Sequence, residues 1–107
     1  MSRRVQIECC PAPRRALIAR DEHVEAFKAL AHADRLRVFL HLVRAGDAQP
    51  ASSIQTALGL PAPTLSHHLD QLARAGLIQR QRRERFILSA VRRELVTDLV
   101  RLLTACC

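Results

Sequence analysis

The four cysteines of the chain stand in two vicinal pairs, Cys9-Cys10 near its start and Cys106-Cys107 at its end. Thiolates are soft ligands that select thiophilic metals. Arg3, Arg4, Arg14, Arg15 and Arg101 stand near the pairs in sequence. Cations beside a thiol lower its pKa and favour the thiolate. Pro11 removes a backbone donor and stiffens the chain beside the first pair. A second group of residues has a different chemistry. Thr64, Ser66, His67, Gln71 and Arg74 offer hydroxyl, imidazole, amide and guanidinium groups, and Arg80, Arg82, Arg83 and Arg85 follow closely. Such groups suit base edges and phosphates. No Ser/His/Asp set or carboxylate pair stands out, so no enzyme is expected. His23, His32 and His41 share no ligand spacing. His68, at the edge of an apolar face, is expected to pack inward with one hydrogen bond.

These residues belong to a chain of 107, enough for one domain with little spare length. Its 17 Lys and Arg against 10 Asp and Glu leave a net charge of +7, and every cation but Lys28 is an arginine. A compact basic domain points to nucleic acid before a membrane surface. Phe27, Phe39 and Phe86 are the only large aromatics, with no Trp or Tyr. Stacking platforms for single strands are therefore missing, and duplex DNA is favoured. No apolar run approaches transmembrane length and no signal-peptide core follows the start, so a cytoplasmic protein is expected. In that compartment the cysteines suit metal binding or redox chemistry better than a disulfide framework.

The positioning elements follow from periodicity. Residues 1–20 read as a basic arm carrying the first cysteine pair, and residues 21–107 as the folded domain. Asp21 is expected to cap a first helix, made amphipathic by Val24, Phe27 and Leu30 and ending near His32. Asp34 would cap a second, with Leu36, Val38, Phe39, Leu40, Leu42 and Val43 as a thick apolar face, ended by Gly46-Asp47. Gln49-Pro50 reads as loop, and Ser52 to Leu58 as a short helix with Ile54, Ala57 and Leu58 inward. Gly59 can close that helix in the left-handed conformation. Pro61 and Pro63 suit a turn and a first helical turn. Leu65, Leu69 and Leu72 then recur on one face, with Thr64, His67, Gln71 and Arg74 on the other, until Gly76. This is the helix-turn-helix pattern, whose second helix enters the major groove. Residues 77–82 and 85–88 read as two strands turning at Arg83-Glu84, a basic wing that lacks the usual turn residues. Ser89 would cap a last helix striped by Val91, Leu95, Leu99, Leu102 and Leu103. The expected fold is mainly α with a small β-hairpin: about five helices and a two-stranded wing.

Four runs make the chain resemble the ArsR/SmtB family of winged helix-turn-helix repressors over about residues 22–103. They are Ala29-Leu-Ala-His-Ala-Asp-Arg-Leu-Arg-Val-Phe-Leu40, Ala57-Leu-Gly-Leu60, Thr64-Leu-Ser-His-His-Leu69 and Ala75-Gly-Leu-Ile78. The resemblance implies a homodimer built from the first and last helices, with Val24, Phe27, Leu95, Leu99, Leu102 and Leu103 as interface candidates. It implies operator DNA as partner, read in successive major grooves and released when an inducer binds. The chain departs from the family in places. Pro61 and Ala62 stand where Ser and Gln are frequent, leaving Ala62 only a thymine methyl to touch. Asp70 stands where a cation is common, and Glu84 where the wing turn usually has Gly.

The resemblance also bears on the inducer. The family's founding arsenic site uses cysteines at the start of the third helix; the matching positions are Pro50 and Ser52. Its zinc-type site uses Asp and His along the last helix, which here carries Asp98 and no His. Cys9, Cys10, Cys106 and Cys107 remain, at the two ends that the family's dimer brings together. Trivalent arsenic or antimony, which take three thiolates in a pyramid, is the expected inducer. Zn(II), Cd(II) or Pb(II) on four thiolates, and thiol oxidation or persulfide formation, are the alternatives. A small metal-binding buffer protein would share the cysteines but would need neither the basic wing nor the polar helix face.

Overall fold

The computed structural model describes residues 18–105. The elements are α1 (Asp21–Leu30), α2 (Ala33–Ala45), β1 (Gln49–Pro50), α3 (Ala51–Leu58), α4 (Ala62–Arg74), β2 (Ile78–Arg83), β3 (Phe86–Val91) and α5 (Arg93–Leu103). The expected five helices and hairpin are present. No helix among the described residues is long and apolar enough to cross a membrane.

The core lies where α4 crosses the other helices. Leu65, Leu69 and Leu72 of α4 are buried against Val38, Phe39 and Leu42 of α2, Ile54 of α3, and Leu77 and Ile78 at the root of the hairpin. Fully burying one such side chain stabilises the fold by roughly 1.5–3 kcal/mol, so α4 is fixed chiefly by its inner leucines. α2 is less central than its composition suggests. Only Val38, Phe39 and Leu42 are buried, whereas Leu36, Leu40 and Val43 stay substantially exposed. Those three lie about a third of a turn away from the core-facing side. In α3 only Ile54 is fully buried, and Ala57 is exposed.

Several boundaries differ from the expectation by a residue or more. Histidine takes over the capping role assigned to aspartate. His32, rather than Asp34, is the N-cap of α2, and its Nδ1 accepts from the Arg35 backbone N–H at 3.4 Å. Arg20, rather than Asp21, precedes α1, and its N–H donates to Nδ1 of the buried His23 at 3.1 Å. Ser89 caps nothing: it is a buried residue of β3, and α5 begins after Arg92. Val91 accordingly lies on that strand and not in the stripe of the last helix.

The sheet has three strands in the order β1-β3-β2. Gln49-Pro50, expected as loop, pairs antiparallel with Ser89 and Leu88. Proline lacks the donor a central strand needs, so the edge is the place a sheet tolerates it. α4 ends in a Schellman motif. Leu77 N–H donates to Leu72 C=O at 3.1 Å and Gly76 N–H to Ala73 C=O at 3.0 Å. Gly76 sits at φ +80, where a Cβ would also meet Leu95 at 3.4 Å. This closure aims the chain from α4 directly into β2.

Candidate nucleic-acid interface

The helix-turn-helix is α3, a short turn and α4. Gly59, at φ +66, closes α3 by donating to Gln55 C=O at 2.8 Å. Pro61, extended at φ −60 and ψ 145, then starts α4, with Pro63 in its first turn. α2 braces this unit. Arg37 reaches Asp34 Oδ1 through Nη1 at 3.1 Å and the Leu58 carbonyl at the end of α3 through Nη2 at 3.2 Å. Arg35 donates through Nη1 to the Ala29 carbonyl at 3.3 Å, tying α2 to the end of α1.

With Leu65, His68, Leu69 and Leu72 inward, α4 presents Ala62, Ser66, His67 and Arg74 to solvent. Thr64 and Gln71 are half-buried on the flank of the helix. Gln71 lines a shallow groove beside Glu25, Lys28 and Ala29 of α1. The exposed Arg74 lines the same groove. Asp70, also half-buried as a residue, lies at mid-helix opposite the buried leucines, with its Oδ2 3.0 Å from Nε of Arg74.

His68 is buried, at 4% exposure, with its ring centroid 4.8 Å from that of His32 and 5.9 Å from that of His67. Its Nδ1 has no hydrogen-bond partner among the described residues, so the bond expected for it is not made there. Burial holds its pKa below the ordinary histidine value. His32 and then Arg35 push it the same way, against the pull of Asp34, and His67 adds a smaller push.

The hairpin is regular, from Ile78 opposite Val91 to Arg83 opposite Phe86. The two-residue turn is thus Glu84-Arg85, one residue beyond the expected position. Glu84 has φ +54. A positive φ at the first central position is where a II′ turn ordinarily takes glycine. Arg80, Arg82, Arg83 and Arg85 are all exposed, and none forms an ion pair among the described residues. Phe86 and Ile87 are exposed at the tip. A polar helix face beside a cationic hairpin can place hydrogen-bonding groups in a groove and positive charge on the flanking phosphates.

Cys9, Cys10, Cys106 and Cys107 lie outside the described residues, as do Arg3, Arg4, Pro11, Arg14 and Arg15. Among the described residues, no group of three or more His, Cys, Asp or Glu could hold a metal ion. The interface candidates separate into two kinds. Val24 and Leu103 are exposed, the latter at 68%, and Phe27, Leu95 and Leu102 are half-buried. Leu99, at 5%, belongs to the core of its own chain, so it is not available as a surface residue. Val100, which the stripe of leucines obscured, is 53% exposed. It lies one helical turn from Leu103.

Residues 30–81 match the family described as "Helix-turn-helix domain". Among solved structures, the ArsR-like transcriptional regulator from Rhodococcus sp. RHA1 superposes with a TM-score of 0.69 at 26% identity, over 78% of this chain and 76% of that one. The transcriptional repressor PagR of Bacillus anthracis gives 0.65 at 28% identity, over 78% of this chain and 93% of that one. The homodimeric winged helix-turn-helix DNA-binding domain Mb0332 of Mycobacterium bovis gives 0.66 at 24%, over 78% and 77%. No curated protein matches the sequence.

Proposed function

We propose that the chain is a transcriptional regulator of the ArsR-type winged helix-turn-helix kind, a cytoplasmic, non-enzymatic repressor that releases its operator when trivalent arsenic or antimony binds its cysteines. The observation that carries the DNA-binding half is the exposed face of α4 beside four exposed wing arginines that form no ion pair among the described residues. α4 enters the major groove with Ser66 and His67 nearest the bases, and the wing arginines meet phosphates or the minor groove. The protein acts as a homodimer through α1 and α5, as Mb0332 is a homodimer, and the exposed Val24, Val100 and Leu103 support that reading. Two such readers fit an imperfect palindrome with half-sites one helical turn apart.

The inducer half rests on the two vicinal cysteine pairs, which flank α1 and α5 in sequence. Dimerisation through these two helices would bring the pairs within reach of each other and supply the three thiolates a trivalent metalloid takes. An inducer shifts the DNA-binding equilibrium only by its differential affinity for the two arrangements. About 1–3 kcal/mol, or 5- to 150-fold in DNA affinity, is the usual scale.

The test is a titration of the full chain bound to a duplex selected from a random-sequence pool, using arsenite, antimonite, zinc, cadmium, lead and peroxide. Release by arsenite or antimonite alone is expected. Cys10→Ser and Cys106→Ser should keep DNA affinity and lose the release. Release by zinc, cadmium or lead, or by peroxide, would replace the metalloid with a divalent ion or thiol oxidation at the same cysteines. If all four single cysteine variants respond as the wild type does, the cysteines are not the sensor.

A further inference from the structure

The outer face of α4 holds a carboxylate where a DNA-reading surface ordinarily holds neutral or positive groups. His67, Asp70 and Arg74 recur at i, i+3 and i+7, opposite the buried Leu65, Leu69 and Leu72. The side chain of Asp70 is 45% exposed and that of Arg74 74%, with Nε and Oδ2 3.0 Å apart. Duplex DNA carries a negative charge about every 1.7 Å along its axis. A carboxylate on a helix in the groove therefore opposes non-specific binding, and its partner Arg74 is partly neutralised. What the pair retains is a matched set of directions: an acceptor beside a planar, fixed donor.

We propose that Asp70 is a specificity-determining residue of α4, acting with Arg74 to read a C·G base pair or step in each half-site. The proposal rests on α4 being the DNA-reading helix. The chemistry is complementary on both strands. A carboxylate accepts from the cytosine N4 amino group, and a guanidinium donates to guanine O6 and N7. The ion pair restrains Arg74 through Nε before DNA arrives, and its terminal nitrogens are the ones a guanine requires. The same carboxylate penalises any register that brings a phosphate or a purely acceptor-bearing base edge to this position, so discrimination comes from repulsion as well as attraction.

The experiment is selection from a random duplex pool with the full-length wild type, Asp70→Ala, Asp70→Asn and Arg74→Ala, followed by affinity measurement on the winning and scrambled duplexes. The wild type is expected to enrich half-sites with a fixed C·G pair. Asp70→Ala should lower preference for that pair about tenfold while binding scrambled duplex at least as tightly as before. Asp70→Asn should move the preference toward A·T, because an amide pairs with adenine N6 and N7. Arg74→Ala should lose the guanine preference at the same place. A merely structural ion pair would leave the selected sequence unchanged. The proposal falls if Asp70→Ala and Asp70→Asn select the wild-type sequence with the wild-type ratio. If the wild type itself enriches nothing, the DNA-reading assignment of α4 falls, and this proposal with it.

Discussion

The imidazoles of His32 and His68 lie with centroids 4.8 Å apart and planes tilted by 54°, joining the N-cap of α2 to the buried side of α4. A proton on His68 would be surrounded by low-dielectric packing, His32, Arg35 and His67, with Asp34 alone among the described residues to favour it. The folded chain therefore prefers neutral His68 more than the unfolded chain does.

The pH prediction follows with its sign. The unfolded chain takes the proton near the ordinary value of about 6.5, and the folded chain takes it at a lower pH. The stabilising contribution is fully present above about 6.5 and is lost as pH falls below it, toward the folded value. His68→Phe keeps a ring and removes an Nδ1 that has no partner among the described residues. Melting curves between pH 7.5 and 5 should show a smaller loss in the variant than in the wild type. At pH 7.5 the variant should be neutral or up to about 1 kcal/mol more stable. An equal loss in both proteins would show that the proton is taken elsewhere.

The wing arginines and His67 should separate in a salt titration. Arg82→Ala should weaken selected and scrambled duplexes alike and lower the slope of log K against log salt by about 1. His67→Ala should change which sequences are preferred, with a smaller change in slope. Equal loss on every duplex by both variants would show that His67 contacts only the backbone.

Glu84 holds a left-handed conformation that costs an L-residue about 1–2 kcal/mol. Glu84→Gly should raise stability by about 1 kcal/mol, read as the midpoint of thermal or urea unfolding. A lower midpoint would mean that the Glu84 side chain contributes more than its backbone costs.

The α5 residues should divide by burial. Leu99→Ala removes a core side chain and should cost about 2–5 kcal/mol of folding stability. Leu103→Arg alters an exposed position, so the helical circular dichroism signal should persist while sedimentation shifts to the monomer mass. A Leu103→Arg protein that sediments as a dimer would place the interface elsewhere.

Much of this architecture was legible because its signals are local. The spacing of Leu65, Leu69 and Leu72 marks α4, and Gly59 and Gly76 mark closures that need positive φ. What escaped depends on distant partners. Gln49-Pro50 becomes a strand only because Ser89 and Leu88 lie beside it, and that pairing also withdraws Ser89 from the helix it was expected to cap. Leu36, Leu40 and Val43 are as apolar as Val38 and Leu42, so composition could not tell which side of α2 meets α4. On α4, Gln71 is polar and correctly spaced, yet the neighbouring α1 leaves it half-buried in a groove. His23 and His32 lacked ligand spacing because their task is capping, an arrangement normally signalled by Ser, Thr, Asp or Asn.

The two residues of β1 make the hairpin and the helix-turn-helix behave as a single calliper. β2 issues from α4 through the Gly76 closure and is anchored by the buried Leu77 and Ile78. β3 is stitched to β1, whose Pro50 is also the N-cap of α3. Each jaw is thus attached to one helix of the reading unit, and Arg92 N–H closes the hairpin onto Leu77 C=O at 2.9 Å. Such a tool measures a groove with a preset gap. In the proposed dimer, an inducer at the cysteine pairs would then act by changing how two callipers are held relative to each other, leaving the gap of each unaltered.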